Sequence, residues 1–212
     1  MTDIEQGSDA WFAQRIGLVT ASRLNDVMAT LKSGGEAATR KNYRAQLIAE
    51  RLTKTKADSF TNSAMQWGTD NEPIARAMYE IQTGNDVDQV GFIVHPDIAM
   101  TGASPDGFIN SDGLIEIKCP NTATHIDYLL NGVAPTEYHN QMLWQMECTG
   151  RDWCDFASFD PRMPDDMQLF IVRFNKDDTK LKELRAGVVK FLSEVDEILD
   201  KLQAYRESKK EQ

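Results

Sequence analysis

The chain has 212 residues, 41% of them hydrophobic and 26% charged, which suits one sizeable globular domain and leaves little room for a second independent core. No apolar run approaches the roughly 18 to 20 residues that cross a bilayer, so no membrane span is expected. The net charge of −10 excludes a uniformly basic nucleic-acid coat, but DNA can still bind where Lys and Arg gather on one surface and divalent cations neutralise clustered carboxylates.

The amino terminus, MTDIEQGSDAW, is acidic and polar where a secretory signal needs a basic start and an apolar stretch, so an intracellular location is expected. Ser8 is placed to cap a first helix carrying Trp11, Phe12 and Arg15, and Thr20 or Ser22 to open a second with Leu24, Val27, Met28 and Leu31 on one face. Beyond the Lys32-Ser33-Gly34-Gly35 break, Tyr43, Leu47, Ile48 and Leu52 mark a third helix. A fourth is predicted over about 63–82, with Trp67, Ile74, Ala75 and Met78 at helical spacing and Gly84 as its stop.

The segments DVDQVGFIVHP, IAMTGASPDGFIN and GLIEIKCP then predict a mid-chain β-meander, being short, apolar or β-branched and bounded by Gly, Pro, Asn and Asp. Helices are predicted around 123–130 and 136–148, strands at WCDFASFD and MQLFIVRFN, and a long amphipathic helix over about 177–205. This order predicts an α/β fold with a central mixed β-sheet flanked by helices. It forms one domain over 1–212: a helical part over about 8–84, a sheet over about 87–175 and the last helix.

In LIEIKCP, period two sets Glu116 and Lys118 on one face of an otherwise apolar strand. Charges on a buried strand are normally paired or bound to a metal, because unpartnered burial costs several kcal/mol. A plain Glu-Lys pair at a strand edge is the simpler alternative. Asp106, in the SPDG turn, brings a second carboxylate beside Glu116 if the two segments pair as a hairpin. Asp106, Glu116 and the backbone carbonyl of Ile117 then make a credible oxygen ligand set for Mg²⁺. Lys118 supplies positive charge beside an attacking water, and Glu72 in WGTDNEP is the best further ligand candidate.

Cys119, Cys148 and Cys154 form no CxxC pair and are expected to be structural thiols. His95, His125 and His139 lack metal-ligand spacing and are expected to be structural or surface residues.

The ordered motifs QGSDAWFAQRIGLVTAS, WGTDNEP, SPDG, LIEIKCP, YHNQMLWQ and FASFDPRM resemble lambda-type phage exonuclease of the YqaJ viral recombinase family, within the PD-(D/E)xK nuclease superfamily. The resemblance spans nearly the whole chain. It implies a restriction-endonuclease-like core and a 5′ to 3′ exonuclease that digests one strand of duplex DNA processively with Mg²⁺ or Mn²⁺. The product is a 3′ overhang for strand-annealing recombination. It further implies a ring-shaped homotrimer around DNA ends, a single-strand annealing protein as partner, and a phage or prophage protein of the bacterial cytoplasm.

Carried onto this chain, Glu72, Asp106, Glu116 and the Ile117 carbonyl match the metal positions, Lys118 the catalytic lysine, and Gln141 a glutamine near the site. Arg15, Ser22 and Ser104 match residues that hold a terminal 5′ phosphate, a role suited to an Arg fork and hydroxyl donors. Lys32, Arg40 and Lys41 are expected to touch DNA near a variable loop. The helical motif often written Gln-x-x-x-Tyr departs here to Gln141-Met-Leu-Trp144-Gln145, and Trp144, one residue early, is expected to take over the tyrosine's packing. An internally cutting endonuclease and a non-catalytic DNA clamp of the same fold are the alternatives. Arg15 and Ser22 in a terminal-phosphate pocket argue against the first, and the intact Asp106, Glu116 and Lys118 against the second.

Overall fold

The computed structural model describes residues 4–57 and 63–210, so the two ends of the expected 1–212 domain lie outside the described residues. Helix α1 (Asp9–Arg15) starts as its cap predicts, with Ser8 Oγ accepting the Trp11 N–H at 3.2 Å. The next segment differs from expectation. Instead of one helix it forms a short strand β1 (Val19–Thr20), one 3-10 turn at Ala21–Arg23 and a five-residue helix α2 (Leu24–Met28). Thr20 precedes the turn without a side-chain cap bond, and Leu31 lies past the helix and is half exposed. Val19 and Thr20 are β-branched, and their parallel pairing with Thr101 and Gly102 holds them extended, a tertiary contact that outweighs the local helical pattern.

Helix α3 (Ala38–Thr53) buries Tyr43, Leu47 and Ile48, as its spacing predicts. Helix α4 (Ser63–Thr83) runs as expected to Gly84, whose N–H donates to the Glu80 carbonyl at 2.8 Å from a left-handed φ of +71°. Pro73 lies inside α4, so Glu72 belongs to the helix middle and not to a first turn.

The strands are β2 (Val87–Asp88), β3 (Ile93–Val94), β4 (Thr101–Ala103), β5 (Gly107–Ile109), β6 (Gly113–Lys118), β7 (Trp153–Phe159) and β8 (Leu169–Asn175). The expected meander is divided between two mixed sheets, ordered β1-β4-β3 and β2-β5-β6-β7-β8. The division falls at Ser104-Pro105-Asp106, where Pro105 has no N–H to continue a ladder. Strands β5 and β6 pair antiparallel, whereas β6 and β7 are parallel, joined by α5 (Thr122–Asn131) and α6 (Thr136–Thr149). Helix α7 (Asp178–Lys210) continues past the expected end and buries Leu184, Val188, Phe191 and Val195.

Apolar clusters cover both faces of the larger sheet. Leu114, Trp144, Phe156 and Phe191 belong to one, and Ala75, Tyr79, Ile115, Ile117 and Phe159 to the other. Alternation along β6 therefore sends Leu114 and Glu116 to the side of α6, and Ile115 and Ile117 to the side of α4. Helix α4 is tied to the sheet by the Tyr79 hydroxyl, which donates to Asp155 Oδ2 at 2.7 Å, while Arg173 grips the same carboxylate at 2.9 and 3.1 Å.

Gly102 is the tightest backbone approach before the SPDG turn: a Cβ there would lie 2.4 Å from the Ile93 carbonyl oxygen and 2.5 Å from the Phe92 ring. Gly102→Ala is expected to destabilise the fold by about 1–3 kcal/mol, the usual cost of overpacking. Urea unfolding followed by tryptophan fluorescence measures it, and an unchanged midpoint would contradict this packing.

Candidate active site

The centre of the site grows from the end of β6. Asp106 precedes β5, and its N–H donates to the Ile115 carbonyl at 3.2 Å. Its carboxylate Oδ2 accepts the Ile117 N–H at 2.6 Å, taking the place of the next rung of the ladder. The N–H and C=O of an extended residue point to the same side, so the Ile117 carbonyl also faces the end of β5, beside Asp106.

Glu116 is fully buried. Its Oε1 accepts from Gln141 Nε2 at 2.6 Å and from the Lys118 ammonium, and its Oε2 accepts from Gln145 Nε2 at 2.6 Å. Burial pushes the Asp106 carboxyl well above its ordinary value, and the negative charges of Glu116 and Glu72 add to the rise. Burial works against the charged Lys118, yet Glu116 and Asp106 outweigh it and hold the ammonium protonated above its ordinary range. The Lys118 ammonium also lies 5.0 Å from the Tyr138 ring centroid. Burial raises the neighbouring Cys119 thiol to about 12, which leaves it a poor nucleophile.

A cleft of about 470 Å³ opens over this centre, lined by Gly68 and Glu72 of α4 and by Ile117, Lys118 and Tyr138. Glu72 reaches the cleft, but its Oε1 accepts from Arg76 at 2.6 Å. Among the described residues no three His, Cys, Asp or Glu side chains converge to hold a metal ion. The donor set that does converge has two carboxylates and one carbonyl. Asp106 Oδ1 accepts no hydrogen bond from the described residues, and when both carboxyls are ionised the pair carries more negative charge than Lys118 alone balances. Hard oxygen donors with surplus negative charge fit Mg²⁺ or Mn²⁺.

A second cavity, of about 550 Å³, is lined by Arg15, Ser22, Arg23, Tyr43, Glu50 and Lys56 among others. Met65 borders both this cavity and the cleft, so the two adjoin. The Arg15 guanidinium stacks 3.7 Å from the Trp11 ring centroid and makes no hydrogen bond or ion pair with the described residues; its Nε is buried without a partner. Burial lowers its pKa to about 10, partly offset by Tyr43 and Glu50. Ser22 is exposed, with its Oγ 3.4 Å from Thr20 Oγ1. Ser104 does not line the cavity. Its Oγ accepts from Trp11 Nε1 at 3.1 Å, linking the ring under Arg15 to the turn that carries Asp106.

The remaining expected residues divide. Lys32 and Lys41 are exposed. Arg40 is committed elsewhere: it bonds Glu194 at 2.7 and 3.0 Å, Glu36 at 2.8 Å and the Val27 carbonyl at 3.0 Å, which pins α3 to α7. The histidines are structural, as expected. His125 lies between Ser158 Oγ and the Met167 carbonyl, His95 Nδ1 accepts the Asp97 and Ile98 N–H groups, and His139 donates to the Ala134 carbonyl. All three cysteines are free.

Trp144 packs in the core with its Nε1 donating to Thr101 Oγ1 at 3.0 Å, and it does not bond Glu116. The place four residues after Gln141 belongs to Gln145, which does. Gln145 was not among the expected site residues. Its spacing from Gln141, one helical turn, is the signal that could have found it.

Comparison with known proteins follows the same lines. The chain is similar to the alkaline exonuclease LHK-Exo from Laribacter hongkongensis at 50% identity, covering 95% of this chain and 99% of that one, with a TM-score of 0.89. The structure of LHK-Exo in complex with dAMP matches equally well. A phage-related exonuclease from Haemophilus somnus 129PT shares the fold, with a TM-score of 0.68 at 17% identity over 89% of this chain and 96% of that one. No curated protein sequence matches the chain. The model of the YqaJ-like viral recombinase domain matches residues 10–152, more than half of the sequence, and the chain belongs to that family.

Proposed function

We propose that the chain is a DNA exonuclease that digests the 5′-ended strand of duplex ends processively and leaves a 3′ overhang for strand-annealing recombination. The observation that carries this reading is the largely buried Arg15, without an ion pair or hydrogen bond among the described residues, in a cavity adjoining the Asp106–Glu116–Lys118 cleft. A cation without a bonded anion among the described residues is suited to a phosphate, and a bidentate guanidinium fork matches phosphate geometry. Ser22 adds a hydroxyl from the same wall, and Ser104 holds the Trp11 ring on which Arg15 rests.

Asp106, Glu116 and the Ile117 carbonyl are the residues that would hold Mg²⁺ or Mn²⁺, with Glu72 at the rim. Such a cation, when bound, neutralises phosphate charge and makes water a stronger nucleophile at neutral pH. Lys118, kept protonated by its two acids, is set to stabilise negative charge that builds on the phosphate oxygens during attack. Gln141 holds Glu116 in place. The existence of an LHK-Exo complex with dAMP, a nucleoside monophosphate, supports a product of that class here. Assembly as a homotrimer around the duplex and cooperation with a single-strand annealing protein in a bacterial cytoplasm complete the reading.

The test is digestion of linear duplex DNA labelled separately at its 5′ and 3′ ends, beside a covalently closed circle. Release of 5′ label with Mg²⁺, none with EDTA and an untouched circle are expected. Cutting of the circle would replace this reading with an endonuclease, and binding without any cutting would replace it with a clamp.

A further inference from the structure

Gln145 is fully buried and donates from Nε2 to Glu116 Oε2 at 2.6 Å. Gln141, one turn earlier on the same face of α6, donates to Oε1 at 2.6 Å. With Lys118 also on Oε1, three donors occupy a carboxylate that offers about four acceptor positions. Glu116 therefore cannot swing about its side-chain bonds without breaking at least one charge-assisted hydrogen bond.

The amide of Gln145 accepts a penalty for this. Its Oε1 is buried and has no hydrogen-bond partner among the described residues. Turning the amide over would set oxygen against oxygen at Glu116, so the orientation present satisfies the carboxylate and leaves the amide's own acceptor unmet. Buried acceptors are rarely left so unless a stronger demand fixes the group. That demand comes from Glu116.

We infer that Gln145 is a positioning residue for the divalent-cation site: it presets the Glu116 carboxylate, so that cation binding does not have to order it. The inference rests on the reading of Asp106 and Glu116 as cation ligands. Groups that hydrogen-bond and orient ligating side chains typically set metal affinity by about 10- to 100-fold. Gln145 differs from the part-exposed Gln141 in being fully buried, so its effect runs through Glu116 and not through contact with DNA.

The experiment is Mn²⁺ binding without DNA, by calorimetry, to the full chain and to Gln145→Met, which keeps the volume and removes the donor. Gln145→Ser replaces it if the Met variant fails to show a cooperative melt. A Kd for Mn²⁺ raised about 10- to 100-fold, with the half-saturating Mn²⁺ for duplex digestion raised by a similar factor and activity recovered at high Mn²⁺, is expected. A Kd within twofold of the parent, whatever happens to the Tm, would overturn the positioning role and leave the cation site standing. Absence of Mn²⁺ binding by the parent chain would instead remove the cation reading on which the inference depends.

Discussion

Lys118→Ala is expected to abolish digestion of linear duplex DNA, a fall of about 10³-fold or more, at the upper end of what one preorganised electrostatic donor contributes. Release of acid-soluble nucleotides at saturating Mg²⁺ measures it. The expectation follows from the protonation state of the residue: flanked by Glu116 and Asp106, its ammonium is held charged and cannot serve as a base. In the proposed mechanism its contribution is positive charge near the scissile phosphate, which water does not replace. Asp106→Asn is expected to be equally inactive, because the amide oxygen still accepts the Ile117 N–H but the ligand charge is gone.

The two variants should differ in stability. Asp106 has a folded-state pKa well above its ordinary 3.8, raised by burial and then by Glu116. Between those two values the folded protein holds a proton that the unfolded chain has released, so stability falls as pH rises through that window. Above it the full penalty persists. Asp106→Asn is thus expected to raise the Tm of the cation-free protein at alkaline pH while removing activity, and a lower Tm would contradict the crowding of the two acids. Lys118→Ala leaves both carboxylates without their cation and is expected to lower the Tm.

Arg15→Ala is expected to erase preference for phosphorylated ends. Its rate on 5′-phosphoryl duplex should drop by roughly 10- to 100-fold to that on 5′-hydroxyl duplex, the factor equivalent to the 1.5–3 kcal/mol of a hydrogen bond to a charged group. Mn²⁺ affinity should stay unchanged, because Arg15 touches neither carboxylate. Parent rates that are equal on the two kinds of end would remove the pocket assignment. Burial opposes the charged form of this guanidinium, lowering its pKa to about 10, and among the described residues no ion pair offsets it. The removal of Arg15 is therefore not expected to destabilise the protein.

Much of the centre was legible in the chain itself because its signals are local. Strand period two places Glu116 beside Lys118, the Gly-bounded turn returns Asp106 to the same strand end, and both relations hold. The caps at Ser8 and Gly84 and the helical faces of α3 and α7 are likewise written in spacing, whereas on α4 only Ala75 of the expected face is buried, Ile74 is half exposed, and Asn71 and Tyr79 take the inner positions. The motif order that points to the YqaJ family is also a property of sequence, and the family match agrees with it.

What the tertiary structure alone decided involves partners distant in sequence. The segment from Thr20 or Ser22 onward reads as one helix, yet Thr101 and Gly102 draw Val19 and Thr20 into a strand, since pairing energy depends on a neighbour that no local pattern reveals. Arg40 carries the same charge as a DNA contact, but Glu194, far along the chain, claims its guanidinium. Trp144 and Gln145 are adjacent in sequence, and only the rotation of α6 against β6 turns one toward Thr101 and the other toward Glu116. Residue types and their periodicity determined which groups could do chemistry; packing of α6, α7 and β4 decided which of them are free to do it, because a charge or amide is available only when no distant partner has taken it.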